Sequence, residues 1–349
     1  MTAPHPLPLL ETLIAPFLTD CEELALELLQ APQPHVPVGV TRPAGQDLLT
    51  AMCRDQLASG GKRLRALLTP ALVAAEHGPV DAARVFGAGV ELIHNGTLVH
   101  DDIQDGDTLR RGRPTLWTQF GVAQGINAGD ALLMGAVAAV LRSDAIAADL
   151  RAPLGALLAD ALCETIRGQV ADLALRDLPQ PTLLDVESVH LAKTGPLFSA
   201  CFVGATRLLR RGPEAEQAAW ALGREIGLAF QIRDDLLDLL GTKGRGDAGA
   251  DLREGKPTWP VLVALRDVPG AEADGIRALL RQATQGSPPS DGDVAHAVAW
   301  VREVGGEATA RAHLDATLDR ARAAAHQAFD RQSALVALAL CERLARLDG

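Results

Sequence analysis

The sequence predicts an all-α protein, a single large helical bundle with a central cleft. Hydrophobic residues make up 48% of the 349 residues, whereas aromatic residues make up 3% and tyrosine is absent. This balance favours helix over strand. Apolar residues also recur about every 3.6 positions from residue 46 to residue 240, and no stretch alternates as a half-buried strand does. Because no clear linker divides the chain, we expect one domain over residues 1–349.

The predicted helices are separated by short segments rich in glycine and proline. An N-terminal helical segment ends before a Pro/Gly-rich loop at residues 31–45. The later breaks fall at Gly60-Gly61, Gly78-Pro79, residues 111–114, residues 178–181 and residues 211–213. A glycine-rich charged loop at residues 241–257 and a turn at residues 285–293 interrupt the remaining helices. Helices that are apolar on broad faces, as these are, pack into a bundle.

Composition and charge exclude several classes of protein. The formal net charge of −11 argues against a general nucleic-acid binder. The five cysteines are widely scattered without CxxC spacing, so we expect neither a zinc site nor a disulfide framework. The longest apolar run, Ala131 to Leu141, is shorter than the roughly 18 residues of a membrane span. With no secretion signal at the N-terminus, we expect a cytoplasmic protein.

Two acidic clusters of the same form are the main functional signal. HDDIQD, residues 100–105, and RDDLLD, residues 233–238, each place aspartates at positions i, i+1 and i+4. On a helix, the first and last of these carboxylates share a face. Both clusters lie in apolar surroundings, so we expect two helices that face each other across a carboxylate-lined cleft. Magnesium is the candidate ion, because it prefers oxygen ligands and bridges carboxylates to phosphates.

A set of basic motifs accompanies the acidic clusters. GGKRLR occupies residues 60–65, RRG follows the first cluster at residues 110–112, KTG occupies residues 193–195, and Lys256 follows the second cluster. Arginine donates two parallel hydrogen bonds to a phosphate, and lysine acts as a point charge. These motifs therefore suit a diphosphate.

Together these motifs resemble those of the trans-isoprenyl diphosphate synthases, in which they occur in the same order. The resemblance runs from about Gly60 to Pro260 and favours the geranylgeranyl and longer-chain members. A single DDxxD motif would have little weight, since it is usually a solvated helix face or a turn. The combination of four motifs is specific. It implies a helical homodimer that joins isopentenyl diphosphate head-to-tail, by 1'-4 condensation, to an allylic diphosphate through a carbocation.

The resemblance also implies a role for each motif residue. Magnesium ions, three when substrate is bound, would be held by Asp101, Asp102, Asp105, Asp234, Asp235 and Asp238. The allylic substrate would contact Arg110, Lys193, Thr194, Phe230, Gln231 and Lys256. Isopentenyl diphosphate would be held without metal by Gly61, Lys62, Arg65, His94 and Arg111. Of these, the catalytic residues would be Asp101, Asp102, Asp105, Arg110, Lys193, Asp234 and Asp235.

Residues before the first acidic cluster predict the product length. Gly96 and Thr97, five and four residues before Asp101, are small, whereas farnesyl-producing members of the family commonly carry an aromatic residue here. Phe86 lies 15 residues before Asp101, roughly 22 Å along a helix, and could form the floor of the tail pocket. We therefore expect a geranylgeranyl or longer product.

Three other functions compete with this prediction. The first is a farnesyl diphosphate synthase, whose product would be shorter. A class I terpene cyclase would normally mix Asn, Ser or Thr with Glu in its second metal motif, and a non-catalytic synthase subunit would usually lack one aspartate motif. The loop after the second cluster also departs from the family pattern by one extra residue before Asp251, so either Arg245 or Lys243 could supply its lysine-type contact.

Overall fold

The structure, a computed structural model, describes residues 14, 23–29, 47–175, 178–241 and 248–347. The loop predicted at residues 31–45, together with Lys243 and Arg245, lies outside these residues. In the described part, residues 23–29 are helical, and the helices that follow are α1 (Leu48–Leu57), α2 (Leu64–Ala75), α3 (Val80–Asp105), α4 (Leu116–Phe120), α5 (Val122–Arg142), α6 (Ala148–Leu175), α7 (Leu183–Lys193), α8 (Gly195–Leu208), α9 (Pro213–Leu240), α10 (Ala250–Arg253), α11 (Trp259–Asp267), α12 (Ala271–Thr284), α13 (Asp291–Glu303), α14 (Gly306–Ala328) and α15 (Arg331–Ala345). The all-α prediction is confirmed.

One small β-hairpin interrupts the helices. Strands β1 (Leu109–Arg110) and β2 (Arg113–Pro114) pair antiparallel, with Leu109 opposite Pro114 and Arg110 opposite Arg113. Arg111 and Gly112 at its turn have φ angles of 53° and 76°. The hairpin directly follows α3 and returns Arg110 toward the end of that helix.

The predicted breaks lie between observed helices. Helix α1 ends before Gly60-Gly61, α2 ends before Gly78-Pro79, and α6 ends before residues 178–181. Sequence reasoning missed the break between α7 and α8 at Thr194. The glycine–proline pair Gly195-Pro196 directly follows that break and begins α8.

The chain packs into two compact units. The first comprises Met1–Leu162, Ala200–Gln217 and Ala328–Val336, and the second comprises Cys163–Ser199, Ala218–Gln327 and Ala337–Gly349. The first unit contains the GGKR segment, the first acidic cluster and the RRG segment. The second contains the KTG segment, the second acidic cluster and Lys256.

In the first unit, α3 is a central helix that packs on α2 and α5. Its contact with α5 is close because glycine lies at the crossing. A Cβ atom at Gly96 would lie 2.8 Å from Leu133 Cδ2 and 3.0 Å from the Gly129 carbonyl oxygen. This packing fixes the end of α3, where the first acidic cluster lies.

Helix α5 is long and apolar enough to cross a bilayer by length and composition alone, and no other helix in the described ranges meets both criteria. It contains the run Ala131 to Leu141. Only 44% of an apolar 18-residue stretch of this helix is buried, and the remainder includes exposed apolar side chains. The helix packs on α3, and a core helix of this composition meets the same criteria.

In the second unit, α7 and α11 share an apolar core with α12 and α13. Close backbone contacts set the helices that carry the functional motifs. A Cβ at Gly227 of α9 would lie 2.6 Å from the Gly195 Cα atom, and one at Gly168 of α6 would lie 2.6 Å from the Lys193 Cα atom. The KTG segment is therefore held against both α6 and α9.

Candidate active site

The first acidic cluster lies at the C-terminal end of α3. Gly106, with φ of 70°, ends the helix and donates its N–H to the Asp102 carbonyl. Asp101 is partly exposed and Asp105 is exposed, and their i, i+4 spacing places both on one helix face. The unpaired carbonyls at a helix C-terminus favour a nearby cation. Backbone and carboxylates together make this helix end negative.

Asp102, by contrast, is buried and paired with Arg110. The Arg110 Nε donates to Asp102 Oδ1 at 2.6 Å, and Arg110 Nη2 lies 2.5 Å from the same oxygen. Burial raises the pKa of Asp102 above its ordinary value, although the hydrogen bond and charge of Arg110 oppose that rise. The residue predicted to hold metal and the residue predicted to hold diphosphate therefore bind each other in this structure.

The GGKR segment leads into α2 through left-handed backbone. Gly61 has φ of 133°, and a Cβ there would lie 2.7 Å from Arg111 Nη1, so glycine lets the guanidinium approach. Lys62 is exposed and Arg65 is partly buried. Arg63, which the sequence gave no role, is buried, with Nη1 2.5 Å from Glu91 Oε1 and Nη2 donating to the Leu57 carbonyl. Arg63 thus stabilises the GGKR segment through these contacts and does not face a ligand.

His94 on α3 lies near the positive charges of Arg63, Arg65, Arg110 and Arg111, which we call the cationic cluster. Burial lowers the pKa of His94 well below its ordinary value, and the charges of Arg65, Arg111, Arg63 and Arg110 lower it further. The imidazole is therefore neutral at physiological pH. The structure brings Gly61, Arg65, His94 and Arg111 together in the first unit, as the sequence predicted for a metal-free diphosphate site.

The second acidic cluster ends α9, and its three members differ in exposure. Asp235 and Asp238 are 7% and 5% exposed, whereas Asp234 is partly exposed. Asp235 Oδ2 accepts the backbone N–H of Trp259 at 2.8 Å, at the start of α11. Asp238 Oδ2 accepts the backbone N–H of Asp251 at 3.1 Å. Asp238 therefore holds the later part of the glycine-rich loop, and Asp235 holds the chain that follows it.

A cavity of about 180 Å³ in the second unit collects the remaining motif residues. We call it the lysine cavity. The predicted residues that line it are Lys193, Gln231, Asp234, Asp235 and Lys256. Thr194 adjoins it, because Gln231 Nε2 donates to Thr194 Oγ1 at 2.6 Å. Of the residues predicted to contact the allylic substrate, two are not part of this group: Phe230 does not line the cavity, and Arg110 lies in the first unit.

The lysines of this cavity have carboxylate partners that sequence reasoning missed. Lys193 Nζ lies 2.7 Å from Asp172 Oδ2, and Lys256 Nζ lies 2.5 Å from Glu254 and 3.9 Å from Asp251. His190 also lines the cavity. Its spacing of three residues before Lys193 gave a usable signal, since such pairs share a helix face. Asp172 lies on another helix, so the sequence gave no signal that it would contact Lys193.

The carboxylates fit magnesium by their chemistry. Within the described ranges, no three His, Cys, Asp or Glu side chains converge into a ready-made metal site. Asp101, Asp105 and Asp234 nevertheless offer accessible hard oxygens. Magnesium usually takes one or two carboxylates and completes its shell with waters and phosphate oxygens. In each unit, such carboxylates could hold an ion of this kind with a diphosphate.

A family model described as polyprenyl synthetase matches residues 46–299, which include every motif above. The chain belongs to the polyprenyl synthetase family. It is accordingly an enzyme, a prenyltransferase.

Similar proteins agree with this assignment. The chain is 37% identical over 291 residues to a geranylgeranyl diphosphate synthase of Mycobacterium tuberculosis, covering 82% of this chain and 81% of that protein. It is 38% identical over 273 residues to a (2E,6E)-farnesyl diphosphate synthase of Mycobacterium bovis, covering 74% and 73%. A polyprenyl synthase structure from Caulobacter crescentus, complexed with calcium and isoprenyl diphosphate, matches with a TM-score of 0.78 and 27% identity, covering 97% of each chain.

For this polyprenyl synthetase, the structure shows the surroundings of the residues predicted to set product length. A side chain at Gly96 would point into α5, at Leu133 and the Gly129 carbonyl, so Gly96 allows close helix packing. Thr97 is partly exposed, and its hydroxyl donates to the His94 carbonyl at 2.8 Å.

The two phenylalanines named from the sequence have aromatic or close-packed surroundings. Phe86 is fully buried, and it packs so closely on α8 that a Cβ at Gly204 would overlap its ring. Phe230 lies in the second unit, with its ring centroid 5.8 Å from that of buried Phe198. Phe86 lies deep enough in the first unit to be a floor, and Phe230 belongs to an aromatic pair.

Proposed function

We propose that this enzyme condenses isopentenyl diphosphate head-to-tail with an allylic diphosphate, with magnesium, to give a geranylgeranyl or longer trans-prenyl diphosphate. The observation that carries the proposal is the lysine cavity, which places two lysines and an amide beside Asp234. These are the groups that bind a diphosphate through metal and direct hydrogen bonds. The relative of known structure described with calcium and isoprenyl diphosphate supports the same chemistry.

The cluster around His94 supports a second diphosphate site of different character. Arg65 and Arg111 provide positive charge there, His94 adds a neutral ring, and Lys62 belongs to the same GGKR segment. Isopentenyl diphosphate must keep its own diphosphate during the reaction. A site that binds through side chains alone suits that substrate, because it does not stabilise a leaving group.

The reaction begins at the allylic C–O bond, which breaks with its electron pair on the departing diphosphate. Bound magnesium, held by the accessible aspartates, would supply charge neutralisation for that group. Lys193 and Lys256 donate hydrogen bonds to it, and their charges stabilise it as negative charge develops. The double bond of isopentenyl diphosphate then attacks the allylic cation. We assign the proton lost from the resulting cation to the released pyrophosphate.

We propose that two copies of the chain form a homodimer through α5. The exposed side of this helix carries Val122, Ile126, Met134 and Leu141, which are 47%, 44%, 66% and 44% exposed. Their spacings of four, eight and seven residues keep them on one helix face. Exposed apolar faces of this kind mark protein contacts. The scattered cysteines support the further proposal that the enzyme is cytoplasmic.

The test is incubation of the purified chain with magnesium, labelled isopentenyl diphosphate and, separately, dimethylallyl, geranyl or farnesyl diphosphate. Products are sized by chromatography against prenyl standards. We expect elongation to geranylgeranyl or longer chains, and loss of activity with a chelator. Accumulation of a farnesyl product would establish the shorter-chain alternative. Release of pyrophosphate without elongation would indicate a cyclase, and no reaction with any primer would contradict the proposal.

A further inference from the structure

His190 lies beside the lysine cavity but has no role in the reaction described above. It belongs to α7, one turn before Lys193, and lines the cavity together with Gln231 and Asp234. A capping box at Thr182 and Asp185 fixes the start of α7. The i, i+3 spacing then directs His190 and Lys193 to one face of the helix.

The two ring nitrogens of His190 have different surroundings. Nδ1 is enclosed and has no hydrogen-bond partner among the described residues. Nε2 is not enclosed in this way and also has no protein partner within the described ranges. Because His190 lines the cavity, Nε2 is the nitrogen that a ligand there can reach.

These surroundings determine where the ring carries its hydrogen. Burial lowers the pKa of His190 to about 4; Asp172 and Asp251 oppose this shift, and Lys193 adds to it. The ring is therefore neutral at pH 7 and has one N–H and one acceptor nitrogen. An enclosed N–H without an acceptor is rarer than an enclosed acceptor without a donor. The hydrogen consequently belongs on Nε2.

We propose that His190 is a further substrate-binding residue, which donates its Nε2–H to an oxygen of the allylic diphosphate between Lys193 and Lys256. This inference rests on the proposed function. A neutral donor adds a directed hydrogen bond without adding another cation to the two lysines. Because it binds the substrate before the C–O bond breaks, its removal should raise KM more than it lowers kcat.

Three substitutions distinguish this role from simple packing. In His190→Gln the amide nitrogen takes the place of Nε2, in His190→Asn it takes the place of Nδ1, and His190→Leu has no polar group. We expect the Leu and Asn variants to raise KM for farnesyl diphosphate about tenfold, as for a lost hydrogen bond to a charged group. The Gln variant should stay within about threefold of the wild type, and KM for isopentenyl diphosphate should not change in any of them. His296→Leu, at an exposed histidine on α13, is the matched control.

Calorimetric binding of farnesyl thiolodiphosphate with magnesium gives a second readout that does not depend on turnover. Its Kd should follow the same order among the variants. If the wild type neither elongates primers nor binds this analogue, the proposed function fails. If the wild type does both, and the Leu and Asn variants keep its KM and Kd, the role of His190 is overturned. The Asn variant preserves the test if His190→Leu unfolds.

Discussion

At the scale of single residues, the six motif aspartates have different surroundings. Asp101, Asp105 and Asp234 are accessible enough to meet a metal. Asp102 is buried against Arg110. Asp235 and Asp238 accept backbone N–H groups, so they hold the chain around the site as well as adding negative charge to it. Their substitution should therefore change stability as well as catalysis.

We expect Asp234→Ala and Asp235→Ala to separate these two contributions. Both should lower kcat at least about 100-fold, because each removes charge from the metal site. Asp235→Ala should also lower the free energy of unfolding, by roughly 1–2 kcal/mol, because the Trp259 N–H loses its acceptor. Steady-state kinetics and thermal unfolding measure the two effects. An Asp235→Ala variant with the unfolding midpoint of the wild type would contradict the structural role of Asp235.

Substitution of Thr97 should change the length of the product. Thr97→Phe adds a ring four residues before Asp101, on the same helix face, and should stop the growing chain earlier. We expect a product shorter by at least one isoprene unit, sized by chromatography. Gly96→Ala is the control, because its Cβ would crowd α5; it should lower the unfolding midpoint and leave product length unchanged. An unchanged product from Thr97→Phe would place the tail elsewhere.

Buried histidine should make stability depend on pH. The pKa of His190 is about 4 in the folded chain and 6.5 in the unfolded chain. Below pH 6.5 only the unfolded chain gains this proton, so the stability contributed by the neutral ring is complete above pH 6.5 and is lost as pH falls toward 4. Between pH 7.5 and pH 5, the wild type should lose about 2 kcal/mol more than His190→Gln. Urea unfolding at the two pH values measures this difference, and parallel losses would refute it.

At the scale of helices, glycine contacts determine how the site is assembled. Gly227 lies seven residues before Asp234 on α9, and it lets α9 approach Gly195 next to the KTG segment. A side chain there would meet backbone, which cannot move aside as a flexible side chain can.

Gly227→Ala should therefore lower the free energy of unfolding by roughly 1–3 kcal/mol and raise KM for the allylic substrate. Gly275→Ala on α12, where a Cβ would meet nothing within 4 Å, is the control. It should keep the wild-type KM and be at least as stable as the wild type, because alanine favours a helix over glycine. Denaturant unfolding and primer kinetics on both variants provide the comparison, and matching behaviour would show that α9 tolerates the added atom.

Local sequence signals predicted the helices well, because glycine and proline end helices through their own backbone restrictions. They also predicted the Lys193 and Lys256 cavity residues, whose motifs are short. They did not predict the Asp102–Arg110 pair, the Asp172–Lys193 pair or the packing role of Gly96. Each of these depends on which residue of another segment comes into contact, and helical periodicity does not encode that choice.

At the scale of the whole molecule, the two compact units hold different parts of the proposed chemistry. The first unit carries the cationic cluster around His94 and the first aspartates, and the second unit carries the lysine cavity and the second aspartates. Condensation as proposed requires residues from both units. We therefore expect that substitutions in the diphosphate-binding residues of either unit abolish elongation activity, even where the other unit still binds its substrate.

The homodimer is the remaining prediction at this scale. Met134 is the most exposed apolar residue of the α5 face, and Met134→Asp would bury two carboxylates in a symmetric contact through that face. Because burying unpaired charge is costly, we expect the variant to sediment as a monomer at concentrations where the wild type is a dimer. Val268→Asp is the control, since Val268 is exposed and directly follows α11 in the second unit, outside the α5 face. Sedimentation velocity on all three proteins decides the matter. If the Met134→Asp variant remains dimeric, the dimer contact lies on another surface. If the wild type is monomeric at every concentration measured, the homodimer proposal is wrong.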